Sequence, residues 1–145
     1  MGRFVNPGGS AFQTALNSEI YVDKTGLIEY TNRVLGTTDA YICNSRPRRF
    51  GKSYAANMLA AYYSKGTSSE EMFSNLEISK NVDFRKHLNQ YDVIHIDIQW
   101  FLTNCRNSDQ VVDFITQSIL KELREIYPGV FPTEEESLPE VLSII

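Results

Sequence analysis

An α/β fold, with a parallel sheet flanked by helices, is predicted for this chain by three observations. Two apolar runs, residues 40–44 (Ala-Tyr-Ile-Cys-Asn) and 93–98 (Val-Ile-His-Ile-Asp-Ile), read as buried strands. Segments of helical periodicity alternate with them. A basic, glycine-containing loop links the first run to the helix after it, giving the order strand, loop, helix. Two strands are few for such a sheet, and the sequence stops on the apolar pair Ile144-Ile145. The expectation is therefore an incomplete, N-terminal portion of one longer domain. Residues 1–39 would form an N-terminal segment and helix, and residues 40–145 the front half of the core.

Each element has its own signal. Residues 2–17 contain Asn6-Pro7-Gly8-Gly9-Ser10, a turn cluster that predicts irregular chain. Residues 19–22 read as a short extended piece. Asp23 is placed to cap a helix running to about Leu35, with Leu27, Ile28, Val34 and Leu35 on one face and Gly36 as its stop. After the loop, a helix over residues 54–63 places Tyr54, Met58, Leu59 and Tyr62 on a buried face, and Gly66 ends it. Ser68-x-x-Glu71 has the form of a capping box for a short helix carrying Met72 and Phe73. Residues 82–88 suggest another short helical turn. Asn107 or Ser108 opens a long helix with Val111, Val112, Ile115, Ile119, Leu123 and Ile126 inward, closed by Pro128-Gly129. Ser137-x-x-Glu140 marks one more helix start.

The bulk numbers set bounds. The 145 residues suit one domain with a real core. A content of 42% hydrophobic and 22% charged residues is ordinary for a soluble globular chain. The net charge of −4 argues against a general polyanion binder, so Arg46, Arg48, Arg49 and Lys52 form a local basic exception. Cys43 and Cys105 are too few for a disulfide framework, and Cys43 reads as a buried strand thiol. With no signal peptide and no apolar run of spanning length, a cytoplasmic setting without membrane partners is expected.

The chemistry concentrates in Ser45-Arg46-Pro47-Arg48-Arg49-Phe50-Gly51-Lys52-Ser53, a variant of G-x-x-x-x-G-K-[ST] with Arg46 at the first glycine. Such a loop turns successive backbone N–H groups inward around phosphate oxygens, and the following helix adds its N-terminal donors and dipole. On this reading Arg48, Arg49, Phe50, Gly51, Lys52, Ser53 and Tyr54 bind the phosphates of a nucleotide. Lys52 reaches them as a point charge, Gly51 admits close approach, and Ser53 binds Mg2+ through its hydroxyl. Gly-Lys-Ser alone is common by chance, and a solvated basic loop or a nucleic-acid phosphate contact are the competing readings. Asp97 ends an apolar run and is a second candidate for Mg2+, although an ordinary strand-end carboxylate also accounts for it. His95 reads as a packed histidine.

Two elements together resemble a known family. Glu19-Ile20-Tyr21-Val22-Asp23-Lys24-Thr25-Gly26-Leu27-Ile28, followed by the Ser45–Ser53 loop in that order and separation, resembles the predicted AAA-ATPase-like family of bacteria. Weaker similarity continues through Met72-Phe73 and residues 91–94, so most of the chain is covered. The resemblance implies a P-loop NTPase-like core, ATP and Mg2+ as cofactors, and Arg46 as the family's usual residue. It implies that Tyr21, Val22, Asp23 and Lys24 lie on the adenine side. It also implies an Asp-Glu strand, needed for hydrolysis, expected beyond Ile145, and often a restriction-endonuclease-like domain further on.

The expectation is ATP binding by a variant Walker A loop, with little hydrolysis from these residues alone. The strand at residues 40–44 would lack its neighbour, so self-association or a further segment of the same protein would complete it; nucleic acid would be met through a downstream domain. The alternative is a non-catalytic protein- or nucleic-acid-interaction module on the same scaffold. A small kinase is a weaker third reading, since no arginine lid follows the loop.

Overall fold

The computed structural model describes residues 2–45, 47, 49–105, 107–130 and 137–145. Among these the chain is helical. The described residues form eight α-helices: α1 (Ser10–Leu16), α2 (Gly26–Val34), α3 (Lys52–Tyr63), α4 (Glu70–Phe73), α5 (Phe84–His87), α6 (Ile98–Asn104), α7 (Val111–Ile126) and α8 (Leu138–Ile144). Extended pairing among the described residues is confined to two isolated bridges, Val5 with Ile94 and Ser64 with Tyr91. This overturns the predicted parallel-sheet α/β architecture.

Both expected strands fail for identifiable reasons. Residues 41–45 are extended in part but have no lateral partner among the described residues, and Tyr41 is 96% exposed. Without a neighbour to take its N–H and C=O groups, such a run is stable only in water, so its apolar side chains stay outside. Cys43, expected to be buried, is exposed. In the second run, Asp97 Oδ1 accepts from the N–H groups of Gln99 (2.9 Å) and Trp100 (3.2 Å). That N-cap starts α6 at the point where a strand would have continued.

The chain forms two compact units. The first, Gly8–Val93, is built on Phe12, Ile28, Met58, Ala61, Tyr62, Phe73, Ile78, Phe84 and Leu88. Small residues of α3, Ala60 and Ala61, let α1 pack closely, and Phe12 stacks on Phe73 at 5.0 Å between ring centres. Helix α1 itself lies where turn chemistry predicted irregular chain. Tyr62 is buried as expected, but Tyr54 is 59% exposed.

A polar network ties α2 to α3. Tyr63 Oη donates to Asn32 Oδ1 (2.6 Å) and lies 2.6 Å from Thr31 Oγ1, while Asn32 Nδ2 donates to Tyr62 Oη (3.1 Å). Burial, opposed by the Thr31 hydrogen bond, pushes the Tyr63 phenol up to about 12. At the far end of α3, Asn89, at φ +55°, donates to the carbonyls of Ala61, Tyr62 and Ser64. It thereby adds to the partners of carbonyls at the helix terminus, where intrahelical donors run out. Ser69 is drawn into the same cluster, donating to Ala61 O (2.8 Å), and α4 has no side-chain cap, so the expected Ser68 capping box is absent.

The second unit joins Met1–Pro7 to Ile94–Ile145. Its core is Phe4, Val5, Phe101, Ile119, Leu120, Leu123 and Val141. The Glu122 carboxylate on α7 accepts from the backbone N–H groups of Arg3, Phe4 and Val5 at 2.8–2.9 Å and so fixes the N-terminal segment. The Ser137–Glu140 capping box opens α8 as predicted.

Candidate functional site

The basic loop leads directly into α3, and its backbone is unusual. Arg49 has φ +67° and Gly51 has φ +76°, whereas Phe50 and helical Lys52 have negative φ. Alternation of this kind turns neighbouring N–H groups toward one side, which is how anion-binding concavities are built. Arg49 takes a left-handed conformation that costs a non-glycine residue about 1–2 kcal/mol. Gly51 is the N-cap of α3, and among the described residues no side chain caps that terminus. Lys52 and Ser53 are exposed in the first turn. Arg46 and Arg48, both assigned by sequence to the loop, lie outside the described residues.

The Tyr21–Thr25 segment clasps this loop, and its residues divide the work. Asp23 and Thr25 face the body of the unit. Asp23 accepts from the backbone N–H groups of Thr25 and Glu77, each at 2.8 Å, and from Thr25 Oγ1 at 2.7 Å. The fully buried Thr25 hydroxyl accepts in turn from the N–H of Ile78 at 3.2 Å. Partial burial opposes ionisation of Asp23, but the hydrogen bonds from Glu77 and Thr25 outweigh it and hold the carboxyl below its ordinary value. Asp23 therefore closes a turn ahead of α2, and Thr25 takes the cap position that sequence assigned to Asp23. Lys24 points the other way. Its Nζ donates to the carbonyl of Phe50 at 2.9 Å.

Between clasp and loop lies an open cavity of about 390 Å³. Ile20, Tyr21, Val22 and Lys24 form one side of its lining, and Arg49, Phe50, Gly51 and Tyr54 another. Its apolar residues include Phe50 and Val22, 61% and 65% exposed. Burial, and secondarily the Asp23 charge, raise the Tyr21 phenol above its ordinary value. The structure thus brings together Tyr21, Val22 and Lys24 with Arg49, Phe50, Gly51 and Tyr54, while Asp23 serves the scaffold. Ala15, Ser18, Ala55 and Met58 also line the cavity and were missed by sequence. Ala55 and Met58 follow Gly51 at helical spacing and could have been found that way; Ala15 and Ser18 could not, because α1 was not anticipated.

A family model described as Predicted AAA-ATPase matches residues 8–144. The chain belongs to the AAA-ATPase-like family. No curated protein and no solved structure matches it. In this AAA-ATPase-like chain Asp97 belongs to the unit other than the one holding Ser53, and its Oδ1 serves the cap of α6. Among the described residues there is no cluster of three or more His, Cys, Asp or Glu side chains able to hold a metal. Among the same residues, no helix is long and apolar enough to cross a membrane.

Proposed function

We propose that this AAA-ATPase-like chain binds a nucleoside triphosphate, ATP, together with Mg2+, through the loop that ends at Ser53. The observation that supports this most is the left-handed, side-chain-free cap at Gly51 ahead of α3, preceded by the strained backbone of Arg49. Strain of this kind persists where the surroundings enforce it, often at ligand sites. Phosphate oxygens would meet the backbone donors of residues 49–53, the dipole of α3 and the Lys52 ammonium. Ser53 offers its hydroxyl to the metal that such phosphates carry, and the adjoining cavity offers Tyr21, Val22, Phe50 and Tyr54 as apolar surface for a base. The volume falls within the ordinary range for small-molecule sites.

Turnover by these residues alone is expected to be low. Asp97, the carboxylate that sequence offered for Mg2+, has its Oδ1 engaged by backbone donors of α6.

Displacement of a fluorescent ATP analogue in the presence of Mg2+ tests the reading. Competition by unlabelled ATP, and none by DNA, is the expected result. Absence of binding, or displacement by DNA alone with a steep salt dependence, would favour an interaction module instead.

A further inference from the structure

Lys24 reaches the loop backbone through its side chain, and what it holds is specific. Its Nζ donates to the Phe50 carbonyl at 2.9 Å. That carbonyl and the Gly51 N–H belong to one planar trans peptide, so they point in opposite directions. Fixing the carbonyl toward Lys24 therefore fixes the Gly51 N–H away from it. The peptide joins Phe50 to left-handed Gly51, at φ +76°, and follows one residue after Arg49, at φ +67°. Such a peptide can turn over as a unit when ψ of Phe50 and φ of Gly51 change in opposite directions, a change that glycine at the second position tolerates. Rotation would aim a carbonyl oxygen where the loop presents a donor, and an anion would then meet repulsion. The packing is close: a Cβ added at Gly51 would stand 2.6 Å from Lys24 Nζ. Lys24 itself is anchored on both sides, by Asp23 to Glu77 and by Thr25 to Ile78.

We propose that Lys24 is a positioning residue that sets the orientation of the Phe50–Gly51 peptide and thereby keeps the loop competent for phosphate. Its task is on the loop side of the cavity, not with the base. The proposal rests on the nucleotide reading for its functional half, and on geometry alone for its structural half. It predicts that a lysine isostere lacking donors leaves the fold intact but releases the peptide. The remaining N–H donors of Lys24, which carries three, are available to reinforce the charge of the loop.

The test compares the full chain with Lys24→Met, Lys24→Arg and Lys52→Ala. In nucleotide-free protein, K24M should shift or broaden the amide resonance of Gly51 while those of Gly36 and Gly66 stay in place. The thermal midpoint should move by no more than about 2 °C, as for other exposed substitutions. Mg-ATP affinity should fall on the order of tenfold, the effect of one charge-assisted hydrogen bond. K24R should restore most of it. An unmoved Gly51 amide in K24M overturns the proposal, as does unchanged Mg-ATP affinity in K24M when K52A has lost binding. If the parent chain binds no Mg-ATP, the nucleotide reading falls instead, and the Gly51 amide alone decides whether Lys24 sets the peptide.

Discussion

Two short segments flank the loop, and they differ in what holds them. The clasp, Tyr21–Thr25, is tied to the rest of its unit by its side chains: Asp23 and Thr25 accept from the N–H groups of Glu77 and Ile78, and Lys24 donates to the Phe50 carbonyl. The segment at residues 41–45 is richer in apolar residues but leaves Tyr41, Ile42 and Cys43 exposed. Apolar content alone did not fix the second segment, because a strand needs a neighbour. Polar residues fixed the first, because each met a backbone group distant in sequence. In this chain placement near the loop follows hydrogen-bond demand more closely than hydropathy.

Breaking the clasp should have the largest effect. Asp23→Ala removes an acceptor shared by two backbone N–H groups and a hydroxyl, and should lower stability by about 2 kcal/mol in urea denaturation. Tyr41→Ser should stay within about 0.5 kcal/mol in the same experiment. Equal costs at the two positions would erase the contrast.

Next comes the α2–α3 network behind the clasp. The Tyr63 phenol ionises near 12 in the folded chain against 10.0 ordinarily. The unfolded chain therefore loses its proton first, and stability should fall as pH rises from about 10 towards 12. Tyr63→Phe should cost about 1 kcal/mol at neutral pH and flatten that alkaline limb, as measured by urea midpoints across pH.

Asp23 has the opposite sign. Its folded value lies below the ordinary 3.8, so its contribution is present above that value and disappears as pH falls through the folded one. Asp23→Asn should shrink the acid-side loss of stability, and an unchanged acid limb would show that the carboxyl is not held low.

The smallest effect sharpens the other half of the contrast. Cys43 should react with a thiol reagent at close to the rate of a free cysteine in the native protein, and faster than Cys105, which is half-buried. Protection of Cys43 until unfolding would restore the buried reading.

Much of the helical part was legible in the sequence. Gly36, Gly66 and Gly129 were read as stops, and all three have positive φ just past helix ends. The α7 stripe placed Ile119 and Leu123 inward, and both are buried. The paired hydroxyl and carboxylate of Ser137 and Glu140 act within one turn, so spacing sufficed. Some losses were local: the Asp97 cap of α6 was not read, and Val112, placed inward with the α7 stripe, is 67% exposed. Others were non-local. A four- or five-residue apolar run does not say whether a second strand will pair with it. Ser69, not Ser68, mattered at α4, because its hydroxyl is drawn to Ala61 and Asn89. At the candidate site the cluster around Gly51 could be named from the loop, but Lys24 was read toward the base. Its actual partner, the Phe50 carbonyl, is distant in sequence and visible only once the chain is folded.

We propose nucleotide phosphate as the ligand of the loop ending at Ser53. Calorimetric titration of Mg-ATP into the full chain and into Lys52→Ala tests it most directly. Measurable binding by the parent is expected, with a loss of about tenfold or more in the variant and the thermal midpoint little changed. Equal affinity in the two proteins would contradict it.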